Sequence, residues 1–263
     1  MSDQNTTKNS LINIELPESV DNVVKNLTEK PTATIGETIS DCLYLVFGGI
    51  SQKAALKRAK YAIELEHFKT ELEDKLNAVP EEKRIEPNTQ VVCTALDNMR
   101  FCVEEEKLRD MFSSLIANSI NSDKTNLVHP SYGVIIKQMT SLDASIFVWM
   151  SEQRLLPIMK IKKESASGIS ELDLSKSLIW KDWGNIDKVA ASLDNLQRLK
   201  LIDISFDSYY TDEKVYEYLK QCPHIAALIK MYESRINEGW KMKFSNGIIR
   251  ITEFGNNFLS ACS

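Results

Sequence analysis

Proline and glycine are scarce in this chain, at 7 and 9 of 263 residues. That excludes collagen-like repeats and most low-complexity architectures. No stretch free of Asp, Glu, Lys and Arg exceeds twelve residues (111–122, and again 125–136), whereas a membrane-spanning helix needs about 20 apolar residues; no spanning helix is expected. The opening MSDQNTTKNS has no signal-peptide pattern. Positive charge is not in excess: 32 Lys and Arg stand against 37 Asp and Glu, for a net charge of -5, which argues against a generic nucleic-acid coat. Walker loops, G-x-G-x-x-G and G-x-S-x-G motifs are missing, so ATP, dinucleotide and α/β-hydrolase chemistry are not expected. The five cysteines (Cys42, Cys93, Cys102, Cys222, Cys262) are odd in number and irregular in spacing. Cys93 and Cys102 lie nine apart, on opposite faces of a helix. All five read as unpaired core or surface residues in a reducing, cytoplasmic compartment.

What is present is the composition of a folded protein, 43% hydrophobic and 26% charged, long enough for one large domain or two small ones. Residues 1–30 read as a flexible tail. Thr34 and Glu37 form a capping box ahead of a stripe through Ile35, Ile39, Cys42, Leu43, Val46 and Phe47. A long amphipathic helix over 51–79 carries Leu65, Phe68, Leu72, Leu76 and Val79 at steps of three and four, and Pro80 stops it. Two further helices follow, one through Val92, Leu96 and Met99, the next through Leu108, Phe112, Leu115, Ile116 and Ile120, with Glu104–Glu106 at the bend between them. Pro130 fits the first position of a short helix.

After Ser141 the pattern becomes mixed. A helix over 142–153 precedes the extended run LLPIMKI (155–161), and Ser170 and Asp173 suggest a weak helix cap. Asn185 opens a clear helix that runs into LIDISF (201–206); a helical stretch follows at 212–236. WKMKF and IIRIT flank Ser245-Asn246-Gly247 and read as a β-hairpin, because Asn-Gly favours the tight turn. A last helix spans 253–262. The expected fold is therefore mainly α, with a helical bundle over 31–140 and an α+β domain over 141–263. DKVAASLDNLQRLKLIDIS (187–205) and IIRITEFGNNFL (248–259) resemble the recognition-helix and wing passages of winged-helix domains. That resemblance names Lys188, Arg198, Lys241, Lys243 and Arg250 as nucleic-acid contacts. The same helix also carries Asp187 and Asp194, which favours a protein partner instead.

IGETISDCLYLVFGG (35–49), RIEP (84–87), EEEKLRDMFSSLIANSIN (104–121) and VHPSYGVIIKQMTSLDA (128–144), in that order, resemble the Abi-alpha family over roughly residues 30–150. Members are mostly helical bacterial proteins named for abortive infection. The resemblance implies a role in anti-phage defence and supplies no catalytic set. Small helical toxins of such systems often pair an Arg with a His four to six residues later; none of His67, His129 and His224 has that partner.

The remaining polar candidates each have a structural and a functional reading. Glu64-x-x-His67 has di-metal spacing but no second pair to complete a site. His129 and Ser131 stand at a helix start, where they can cap or bind an anion. Arg84 and Glu86 can pair across a bend. Leu43, Leu45 and Phe47, followed by Lys53, Lys57 and Arg58, suit an anionic membrane surface as well as a buried helix. The sequence thus predicts a defence component that acts by protein–protein or nucleic-acid recognition rather than catalysis, with a protein partner favoured and no catalytic residue, metal or cofactor named. A membrane-active toxin using 35–60 and a winged-helix DNA-binding regulator are the alternatives.

Overall fold

The computed structural model describes Cys42 and residues 55–263. The capping box at Thr34, the stripe around it, and the membrane candidates Leu43, Leu45, Phe47 and Lys53 lie outside the described residues. Lys57 and Arg58 fall within the start of the first described helix. The chain divides into two compact units, Met1–Glu104 with Arg109–Val134, and Glu105–Leu108 with Ile135–Ser263.

The first unit is helical where described. Helix α1 (Ala55–Ala78) ends before Pro80, which has no N–H to give the helix and whose ring crowds the preceding turn. Its stripe is buried: Leu65, Phe68, Leu72, Leu76 and Val79 are all within the core. Helix α2 (Thr89–Met99) starts at Asn88, whose side chain accepts from the N–H groups of Gln90 and Val91. It buries Val92, Ala95, Leu96 and Met99. Helix α3 (Glu106–Ser119) follows the bend, with Glu106 in its first turn, where the helix dipole favours an acid. Phe112, Leu115 and Ile116 are fully enclosed. A two-rung bridge, Ile85 N–H to Ile120 O (2.9 Å) and Ser122 N–H to Lys83 O (2.9 Å), ties the turn after α1 to the end of α3. Helix α4 (Ser131–Lys137) begins just after Pro130.

Two cysteines depart from the expectation of unpaired thiols. Cys42 and Cys93 are joined in a disulfide across 51 residues of chain. The partner of Cys93 lies far upstream and not on its own helix, where helical spacing gives no guidance.

The second unit is α+β. Helix α5 (Ser141–Ser151) opens with a capping box between Thr140 and Asp143. Strand β1 (Pro157–Ser165) turns back into β2 (Glu171–Asp173), so of the two residues expected to cap a helix, Ser170 directly precedes a strand and Asp173 ends it. Helix α6 (Ile186–Arg198) has Asn185 as its N-cap, accepting from Lys188 N–H at 3.0 Å. Strand β3 (Ile202–Ser205) follows. The helical stretch then breaks into α7 (Lys214–Gln221) and α8 (Pro223–Glu233) at Cys222-Pro223. Strand β4 (Trp240–Ile251) and helix α9 (Glu253–Cys262) complete it. The sheet is antiparallel, in the order β2-β1-β4-β3.

The expected hairpin over 240–252 is absent. Residues 240–251 form one twelve-residue strand that pairs with β1 from Trp240 to Ile248 and with β3 from Ile248 to Ile251. Gly247 is there for space. A Cβ at that position would stand 2.5 Å from Ser205 O, 2.8 Å from Phe206 Cδ1 and 3.1 Å from Ile158 Cγ2. Asn-Gly marks a close approach of three strands, not a turn. One face of the sheet packs Met159 and Ile161 against Tyr216, Leu219, Cys222 and Ile225 of α7 and α8.

Candidate functional site

In the first unit the charged side chains are turned to structural use. Arg84 does not meet Glu86. Its Nε donates to Val79 O (2.9 Å) and its Nη2 to Asn77 O (3.3 Å), which satisfies carbonyls at the end of α1. Glu86 is exposed. His129 caps α4: its Nδ1 accepts from Ser131 N–H (3.1 Å) and lies 2.7 Å from Ser131 Oγ, while its ring packs 5.9 Å from Tyr132. Glu64 and His67 are joined at 3.3 Å, but the stronger partner of Glu64 is Arg109, on α3. The Arg109 guanidinium donates to Glu64 Oε2 (2.6 Å), to Glu71 Oε1 (3.2 Å) and to Val103 O (2.9 Å). It is a fork closed on two carboxylates of α1 and holds α1 to α3. Among the described residues, no group of three or more His, Cys, Asp and Glu side chains is placed to hold a metal ion.

The five basic residues named as nucleic-acid contacts lie in the second unit. Lys241 and Lys243 are woven into an ion-pair lattice on the sheet: Lys241 to Glu164 (3.2 Å), and Lys243 to Glu164 (3.0 Å) and Glu171 (2.8 Å), with Lys162 reaching Glu171 at 2.6 Å. Hydrogen bonds from Lys162 and Lys243 hold the Glu171 carboxyl down at about 2, and bonds from Lys243 and Lys241 lower that of Glu164. Arg198 donates to Asn195 Oδ1 (2.7 and 3.1 Å) and Gln138 Oε1 (2.9 Å). Lys188 is exposed in the first turn of α6, and Arg250 is exposed on β4 opposite Asp203.

A cleft of about 590 Å³ lies in the same unit. One wall is the segment after β2. It is pinned to β1 by Leu174 N–H to Ile161 O (2.8 Å), by Ile161 N–H to Ser175 Oγ (2.8 Å), and by paired bonds between Met159 and Leu178. The other walls are α6 and α8. Leu174, Ile186, Ala190, Leu228 and Tyr232 make the apolar lining. Asp187 and Asp194, both exposed, stand on the lip. Seven residues apart on α6, they are two turns along one face, about 10 Å by helical rise. Asp173, also on the lip, is occupied by Lys160 at 3.3 Å; Asp187 and Asp194 have no ion pair among the described residues. Lys176 is the remaining cation there.

A tryptophan cluster lies next to that wall. Trp149 meets Trp180 edge-on at 5.4 Å and Trp183 at 6.2 Å, and the Lys181 ammonium sits 4.4 Å over Trp183. Trp183 Nε1 is buried without a partner beside a cavity of about 10 Å³, room for one water. His224 Nε2 lies 3.1 Å from Ile179 O and fastens α8 to the same segment. Sequence reasoning missed the cleft and this cluster. The one signal available was Asp187 and Asp194 on a single helical face, which had counted only as a weakness of a DNA-reading helix.

The family described as abortive infection alpha matches residues 60–262. The match starts after the first motif of the sequence resemblance (35–49) and runs on through α5 to α9, well beyond residue 150. No curated protein and no solved structure matches the chain significantly.

Proposed function

The chain belongs to the abortive infection alpha family, and from that premise we propose that it is a component of an abortive-infection type defence against phage, working by recognition of a protein partner through the cleft of its second unit. The observation that carries the defence role is the family match, which takes in nearly all described residues of both units. Support for recognition comes from the cleft: an apolar lining under the exposed carboxylates of Asp187 and Asp194. Burying the lining against apolar side chains is favourable by about 25 cal/mol per Å², and the two charges select partners with basic groups at matching spacing. The second unit alternates helices and strands, with α7 and α8 between β3 and β4. Lys241 and Lys243 on β4 are engaged with glutamates, so a phosphate backbone would have to compete for them. No described helix is long and apolar enough to cross a membrane.

Plaque counts on cells with and without the gene test the role. Fewer plaques with the gene for at least one phage of a broad panel are expected; equal counts across the panel would overturn it.

A further inference from the structure

We propose that Cys42 and Cys93 form a redox-responsive modification site, closed and opened by thiol–disulfide exchange, that staples the N-terminal segment to the helical unit. The Cα atoms lie 5.2 Å apart, within the span a disulfide bridges without moving the backbone. The two ends differ in kind. Cys93 sits on α2, inside the family match, while Cys42 lies ahead of residue 60, where that match begins. The bond therefore joins a segment outside the family core to the core itself.

The pairing is selective. Cys102, Cys222 and Cys262 are buried and lie outside the disulfide, and burial raises the Cys222 thiol so that it stays protonated. Cys93 is partly exposed, whereas Cys42 is enclosed, so exchange enters at the Cys93 sulfur. A small thiolate such as glutathione attacks Cys93 Sγ, the Cys42–Cys93 bond breaks, and Cys42 leaves as a thiolate that takes up a proton. A second glutathione thiolate attacks the mixed disulfide, releasing glutathione disulfide and a protonated Cys93. Two electrons and two protons pass from two thiols to the protein, and the reverse reaction closes the bond. A chain of this size buries enough surface to fold without such a staple, which leaves the bond free to serve as a conditional one. This inference does not rest on the defence reading.

The test uses the full chain equilibrated in glutathione buffers from reducing to oxidising, acid-quenched, denatured and labelled with a maleimide mass tag. Intact mass is expected to shift from five tags, one per cysteine, to three, with a Cys42–Cys93 linked peptide after digestion. Cys42→Ser and Cys93→Ser are expected to carry four tags in every buffer. Limited proteolysis of the oxidised protein is expected to cut residues 1–54 more slowly than in the reduced protein or in Cys42→Ser. Five tags in the most oxidising buffer, or a link between other cysteines, would overturn the site. Three tags in the most reducing buffer would overturn its responsiveness, and equal proteolysis would overturn the stapling.

Discussion

The two units use the same pairing of basic and acidic side chains in opposite settings. Around Arg109 the charges are withdrawn from water: its side chain is 6% exposed, and those of Glu64 and Glu71 are 21% and 30% exposed. On the sheet of the second unit the cations are open to solvent, Lys241 at 68% and Lys243 at 45%, although their partners Glu164 and Glu171 are 19% and 34% exposed. A buried guanidinium left without its carboxylates, or the reverse, has no water to turn to, so the first network is a structural clamp. The second is screened and exchangeable. The presence of an ion pair therefore says little until its burial is known.

The comparison can be broken or sharpened by perturbing each side. Arg109→Ala is expected to have the largest effect, destabilising the first unit by about 2–4 kcal/mol in urea unfolding. That is somewhat under the cost for a fully buried pair, because Glu64 and Glu71 keep part of their hydration. A loss as small as that for a surface pair would place Arg109 with the sheet lysines. Gly247→Val comes next. It forces a side chain against Ser205 O and is expected to cost about 1–3 kcal/mol; a neutral effect would mean that β3 does not close on β4 as described.

Two pH limbs follow. Glu171 is held at about 2 and Glu164 is lowered, so the stabilisation from the lattice is present above their ordinary value of 4.5 and lost as pH falls from there toward 2. Glu171→Gln should flatten that limb in urea midpoints measured against pH. At the alkaline end, burial pushes Tyr61 up to about 12. The unfolded phenol ionises near 10 while the folded one stays neutral, so stability falls between those values. Tyr61→Phe should remove that fall, and ultraviolet absorbance follows the titration directly. Lys243→Ala is expected to be the smallest perturbation, leaving the thermal midpoint near that of the wild type.

The helical unit was readable because its information is local. Leu65, Phe68, Leu72 and Leu76 repeat at helical steps, and each is buried. Pro80 and Asn88 mark boundaries by backbone chemistry alone. The sheet was less readable because its signals are ambiguous or remote. Gly247 is compatible with a turn and with a tight strand approach, and only the position of Ser205, more than forty residues earlier, decides between them. Ser170 and Asp173 fit a cap or a hairpin strand equally. Pro223 did signal the break between α7 and α8, as a residue suited to a first helical turn, but the run 212–236 reads as continuous when only apolar spacing is followed. The cleft draws its walls from residues 160 to 232, and the disulfide spans 51 residues. Neither leaves a pattern within one window of sequence.

The most direct test of partner recognition through the cleft is phage plating on cells carrying the wild-type gene or the Asp187→Lys/Asp194→Lys double variant. Both residues are exposed, so the variant should fold and accumulate as the wild type does, which circular dichroism and immunoblotting check. The account predicts that plaque reduction is lost in the double variant. Undiminished protection by a folded double variant would contradict it.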